Sequence, residues 1–186
     1  MIIESAEKKD LFRMLEILNK NLIAINKYQE LNQEKTENSG FLIGSFSIEE
    51  ISPYIDDKEN HIILTAKDEE IIGYLISHNL CQVKDVLYKE LTSFPEINSI
   101  KDKKKILYYR QIAKLPEKKN VGSKLVEAMF DKAKEMGYEA VVCRIVHAPL
   151  QNKISIAFHE KFGFEFLGLV QNGDVTLGVY LRDLRN

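Results

Sequence analysis

Long apolar runs are missing from this chain. No stretch approaches the roughly 18 uncharged residues that a membrane-spanning helix needs, and the opening Met1-Ile-Ile-Glu-Ser-Ala-Glu-Lys-Lys-Asp10 lacks the basic-then-apolar order of a secretion signal. Cysteine is scarce too. Cys81 and Cys143 stand alone without a CxxC pair, which argues for a reducing compartment, the cytoplasm, and against a structural zinc. The four histidines and two cysteines show no ligand spacing, so no metal is expected. Neither a Walker-type phosphate loop nor a GxGxxG dinucleotide fingerprint occurs. Repeats, low-complexity tracts and linkers are likewise absent, so residues 1–186 read as one domain.

What is present is ordinary globular composition: 45% apolar and 29% charged residues, enough to bury a core without disulfide or metal. The formal charge is only −2, but it is unevenly spread. Residues 101–124 carry nine basic groups against Asp102 and Glu117, so this segment is +7 and the remainder −9. A basic segment inside an acidic protein suggests a local anion site, or simply a solvated helix end, rather than a nucleic-acid surface.

Periodicity orders the chain. Ile2–Glu4 reads as a short strand, and Leu11, Leu15, Leu18, Leu22 and Ile25 predict a helix from Lys8 to about Ile25. Tyr28 to Asn38 is polar and helix-compatible. Ser47-Ile-Glu-Glu50 fits a capping box opening a helix that ends near Tyr54. His61–Ala66 and Ile71–Ser77 form a hairpin with an acidic turn, Val83–Leu91 has helical spacing, and a loop runs through Pro95. Lys105–Leu115 is a strand. Val121–Met136 is the clearest helix, with Val121, Leu125, Ala128, Met129, Ala133 and Met136 on one side and Gly137 beyond it. Ala140–His147 is a buried strand, Ile154–Phe162 a helix, and Phe164–Val170 with Val175–Leu181 a hairpin turning at Asn172-Gly173. This order predicts an α+β (mixed α/β) fold: a mostly antiparallel sheet with helices on both faces and a right-handed βαβ unit from Lys105 to His147.

The turn Pro116-Glu-Lys-Lys-Asn-Val-Gly-Ser-Lys124 feeds a strand into a helix. Its first-turn amides, the positive helix end and Lys118, Lys119 and Lys124 suit a phosphate. Gly122 permits close approach, and Asn120 tolerates the left-handed conformation. Farther on, Asn152, Ser155, His159, Lys161, Gly163 and Phe164 follow the order N-x-x-A/S-x-x-x-Y/H-x-K-x-G-F. With these residues the sequence resembles the GNAT superfamily of acyl-CoA-dependent N-acyltransferases from Phe41 to the C-terminus. The family's acyl-CoA turn, R/Q-x-x-G-x-G/A, is met only at Gly122. Asn120 replaces the other glycine, and Glu117 stands where Arg or Gln is expected, unless the turn is shorter and Lys118 or Lys119 supplies the charge.

The resemblance implies a cofactor, acetyl-CoA, lying in a gap between strands 105–115 and 140–147. The contacts it implies are Ile112, Ala113, Lys114, Lys119, Asn120, Val121, Gly122, Ser123, Lys124, Asn152, Ser155, Phe158 and Lys161, with residues 1–100 on the acceptor side and 101–186 as the acyl-CoA core. His159 stands where many members carry a tyrosine that protonates the leaving thiolate; the other reading is a helix histidine bonded to a carbonyl. Alternation places Tyr109 and Gln111 on one face of their strand and Tyr108, Arg110 and Ile112 on the other, so Tyr109 or Tyr108 could line the acceptor pocket. No carboxylate lies on that strand, and a water-mediated base from Glu30, Glu69 or Glu90 stays open. The implied reaction is acetyl transfer to a small-molecule or peptide amine, without nucleic acid or membrane, with a homodimer left open. The alternative is a catalytically silent acyl-CoA-binding or interaction module.

Overall fold

The computed structural model describes residues 1–23 and 40–185. The helix-compatible stretch Tyr28–Asn38 lies outside them. The elements are β1 (Ile2–Ser5), α1 (Leu11–Asn21), α2 (Ile48–Asp56), β2 (His61–Lys67), β3 (Ile71–Asn79), α3 (Asp85–Thr92), α4 (Pro95–Ser99), β4 (Ile106–Lys114), α5 (Val121–Glu135), β5 (Ala140–Ala148), α6 (Lys153–Lys161), β6 (Glu165–Asn172) and β7 (Val175–Asp183). One seven-stranded sheet runs in the order β1-β2-β3-β4-β5-β7-β6. All neighbours are antiparallel except β4 and β5. This is the mixed, mostly antiparallel α/β sheet that the sequence predicts.

The helices follow their apolar stripes. In α5, Val121, Leu125, Val126, Met129 and Ala133 are buried, and each such large side chain stabilises the fold by about 1.5–3 kcal/mol. Met136, expected on the same stripe, caps the helix and is exposed, and Gly137 ends it at φ 79°. α1 stops four residues earlier than its periodicity suggests. The Asn21 amide donates to the carbonyls of Ile17 and Lys114, and Leu22 turns extended to bridge Leu42. The capping box at Ser47 forms as expected, with Glu50 N–H donating to Ser47 Oγ. Leu80–Gln82 forms a 3₁₀ turn ahead of α3, and Pro95, read as loop, opens the short α4. The last hairpin turns one residue later than expected, at Gly173-Asp174, because Asn172 already pairs with Val175.

Two features of β4 position everything that follows. First, β4 and β5 pair only from Ile106–Ala140 to Tyr109–Cys143. Beyond that pair, β4 stays bonded to β3 and β5 to β7 but not to each other, so the sheet forks. Second, Ser77 faces Tyr109 while Ile76 faces Gln111, which leaves Arg110 as a bulge. The extra residue overturns the simple alternation. Tyr109 lies beside His159 and Phe164 on the α5–α6 face. Gln111 instead accepts from the Tyr74 hydroxyl and donates to the Gly44 carbonyl on the opposite face, where the loop entering α2 packs. Tyr109 and Gln111 therefore do not share a face.

Candidate active site at the forked strands

α5 begins beside the open end of the fork. Asn120 sits in the left-handed conformation (φ 60°, ψ 3°), as expected of a residue in a glycine's place. The first bond of the helical ladder runs from Lys124 N–H to Asn120 O, and the Asn120 side chain does not cap. The amides of Val121, Gly122 and Ser123 therefore precede the ladder and present the positive end of the helix dipole. A Cβ on Gly122 would meet Phe158 at 3.4 Å and Ile112 at 3.7 Å, ordinary contact distances. Packing alone does not demand glycine here, so its smallness keeps room between α5 and α6.

The lysines are only partly free. Lys118 faces Asp68 at 3.7 Å and Lys124 faces Glu127 at 3.5 Å, weak exposed pairs that a phosphate would outcompete. Lys119 is exposed. Lys114 turns its ammonium back onto the carbonyls of Leu115 and Pro116, and burial lowers its pKa. Lys161 is not brought to this turn. Phe162 packs on Phe130, eight residues or about 12 Å down α5 from Gly122.

α6 covers the fork on the α5 side. Asn152 is buried, accepts from Ser155 N–H and donates to the Phe41 carbonyl, so it ties the helix start to the 40–42 loop. His159 is 5% exposed and its Nδ1 donates to the Ser155 carbonyl at 2.7 Å. Burial drives its pKa down to about 4, against that hydrogen bond. The imidazole is therefore neutral at pH 7 and holds no spare acidic proton, which argues against the leaving-group acid expected of it. Tyr109 is also buried here, its hydroxyl without a partner among the described residues and its pKa pushed well up by desolvation. It does not line the opposite face, where Tyr108 and Arg110 lie.

That opposite face is polar. Arg110 donates to Glu50 Oε1 at 2.8 Å and to the Ser45 carbonyl at 3.2 Å. Arg144 donates to Glu90 Oε1 at 2.9 Å and lies over the Tyr108 ring at 5.9 Å from its centroid. Glu90 thus stands beside the fork, whereas Glu69 lies in the β2–β3 turn and Glu30 is outside the described residues. Behind Arg110, His61 and His78 share a hydrogen bond between their Nδ1 atoms at 2.8 Å. Burial lowers both pKa values, that of His78 to about 3. Glu50 and Arg144 are not among the site residues expected from the sequence: Glu50 is legible only as part of a capping box, Arg144 carries no motif, and only the fork reveals that Arg110 and Arg144 are its first residues on each side.

The forked parallel pair has an open helix start on one face and charged side chains on the other. The chain belongs to the acetyltransferase (GNAT) family, whose model matches residues 28–164, and it is a GNAT-type acyltransferase. The match begins ahead of Phe41, where the sequence resemblance starts. No curated protein matches the chain by sequence. Solved structures share its fold. An N-acetyltransferase from Staphylococcus aureus Mu50 superposes with a TM-score of 0.66 at 19% identity, covering 99% of this chain and 98% of the other. A ribosomal-protein-alanine N-acetyltransferase from Brucella melitensis gives 0.64 at 17%, covering 98% and 99%. A Salmonella typhimurium protein solved with its cofactor acetyl-CoA gives 0.64 at 17%, covering 100% and 95%. Acetyl-CoA is the family's cofactor, and the residues present fit it. The uncapped amides of 121–123, the Lys118–Lys119–Lys124 cluster and the unpaired strand edges past Tyr109 are complementary to a long, phosphate-bearing chain. Among the described residues no helix is long and apolar enough to cross a membrane.

Proposed function

We propose that this protein transfers an acetyl or short acyl group from acetyl-CoA to a primary amine by direct attack at the fork. The observation that carries this is the separation of β4 from β5 directly after Tyr109–Cys143, beside an uncapped α5 start. When bound, acetyl-CoA supplies an activated thioester carbonyl and a thiolate leaving group.

The chain's own groups do the rest. Val121, Gly122 and Ser123 amides, with Lys118, Lys119 and Lys124, hold the phosphates, while Gly122, which faces the Phe158 ring, adds no side chain between α5 and α6. The freed edge of β4 at Ile112, Ala113 and Lys114 offers main-chain groups to the cofactor's amide-bearing arm, though the Lys114 carbonyl is already taken by Asn21. With acetyl-CoA bound, a main-chain amide on this edge would be the group available to polarise its thioester carbonyl. Asn152 and Ser155 keep α6 seated over the fork. The amine must arrive without its proton, and Glu90, bonded to Arg144 of β5, is a carboxylate beside the fork that could take it. A second reading, acyl-CoA binding without turnover, draws on one fact: Glu50 and Glu90 are both committed to arginines.

Calorimetric titration with acetyl-CoA, free CoA and ATP separates these readings. Micromolar acetyl-CoA binding is expected in the parent and about 100-fold weaker in Gly122→Trp. Thiol release on adding amines then supports transfer, and binding without release supports the silent module. No binding at all removes the proposal.

A further inference from the structure

The first residue past the fork is arginine on both strands, Arg110 after Tyr109 and Arg144 after Cys143. Each is tied to a glutamate from a different wall. Glu50 of α2 holds Arg110, and Glu90 of α3 holds Arg144. The α5–α6 face of the fork is filled by Tyr109, Phe158, His159 and Phe164. An acceptor that meets the cofactor at the fork must therefore come from the arginine side. Resting on the acyl transfer proposed above, we infer that the acceptor is a small zwitterion, an amine that carries a carboxylate near it, as an amino acid does.

Among the described residues, each wall of the mouth pairs one cation with one anion, Arg110 with Glu50 and Arg144 with Glu90. These charges alternate at short range, which suits a molecule whose own charges alternate. The arginines also have donors to spare. A guanidinium carries five N–H groups in a fixed fork matched to carboxylates. Arg144 spends Nη1 on Glu90 and rests over Tyr108, but its Nε is buried with no partner among the described residues. Glu90 uses only Oε1 in this pair, leaving Oε2 for an ammonium. A carboxylate at Arg144 would keep an adjacent amine beside Glu90 and the fork. The Glu90 contact then also serves to receive the proton the amine must lose.

The test is acetyl-CoA turnover with a panel of α- and ω-amino acids, each run beside its own amide and its decarboxylated amine. Free amino acids are expected to exceed their amides about 10–100-fold in kcat/KM. In Arg144→Gln this preference is expected to collapse toward unity, with acetyl-CoA affinity kept. Should Arg144→Gln fold poorly, Arg144→Lys keeps a cation opposite Glu90 but removes the planar guanidinium fork, and the preference is expected to fall in the same direction. Equal turnover of acids, amides and decarboxylated amines overturns the zwitterion inference while leaving acyl transfer intact. So does a loss in Arg144→Gln that falls equally on acids and amides. Failure to bind acetyl-CoA, or binding with no thiol release for any amine, instead overturns the transfer reading and this inference with it.

Discussion

The two faces of the fork are built from opposite materials. On the α5–α6 side, Tyr109, Cys143, Phe158, His159 and Phe164 make a dry, aromatic surface whose titratable groups are all held neutral by burial. On the other side, Arg110–Glu50 and Arg144–Glu90 place four charges that keep between 18% and 40% of their side-chain surface in contact with solvent. On the function proposed above, the difference lets one cleft serve two unlike substrates: a dry surface keeps water from a thioester, and groups that can be exchanged for its own charges receive an amine. It also teaches where the molecule is fragile. The dry face stores its stability in close packing, the charged face in weak and replaceable pairs.

Close packing should break first. Gly73 on β3 lies so near the start of α5 that a Cβ would stand 2.6 Å from Val121 Cγ1 and 3.1 Å from the Ala113 carbonyl. Gly73→Val is expected to cost about 2–3 kcal/mol, a fall in Tm of about 4–10 °C by thermal melting. Gly44, in the loop on the charged face, would bring an added Cβ within 4 Å of nothing, and its φ is not positive. Gly44→Ala should change Tm by little, and equal losses in the two variants would erase the asymmetry between the faces.

Acid should strike the dry face next. His159 has a folded pKa of about 4 and an unfolded value near 6.5. The unfolded chain therefore binds the proton first, and stability is lost as pH falls from 6.5 towards 4. By pH 5 the loss from His159 is about 2 kcal/mol. On the charged face, His78, lowered to about 3 by burial and then by the charges of His61 and Arg110, adds a loss of the same sign that a change at His159 leaves in place. Denaturant melts between pH 7 and pH 5 should show this slope, and His159→Gln, which can still donate to Ser155 but does not titrate, should flatten part of it. A slope unchanged in His159→Gln would mean that the imidazole is not neutralised by burial.

The same contrast explains what could be read from the sequence. The dry face repeats the physics that makes patterns: helical spacing in α5, the strand runs of β4 and β5, and the spaced Asn152, Ser155, His159, Gly163 and Phe164. The expected strand-turn-helix order and the parallel pair both follow from it. The charged face carries no pattern because its residues meet from far apart: Glu50 reaches Arg110 across 60 positions and Glu90 reaches Arg144 across 54. The Arg110 bulge was equally hidden, and it is what moved Gln111 away from Tyr109. His159 was legible as a position but not as a chemical state, since burial is set by the packing of α6 rather than by its own neighbours in sequence.

The smallest expected effect concerns the residue at the border of the two regions. Asn120 holds φ at 60° where the family pattern carries glycine, and its side chain caps nothing. Its contribution is therefore conformational: asparagine enters the left-handed region more cheaply than other side-chain-bearing residues. Asn120→Gly should be nearly neutral in melting, while Asn120→Ala should lose about 1 kcal/mol. In both, the amides of residues 121–123 are untouched, so acetyl-CoA affinity should follow the backbone and not the side chain. The glycine variant should bind as the parent does, and calorimetry settles it. A marked loss of affinity in Asn120→Gly would show that the carboxamide itself contacts the cofactor, and the cradle would then be part side chain rather than main chain with lysines alone.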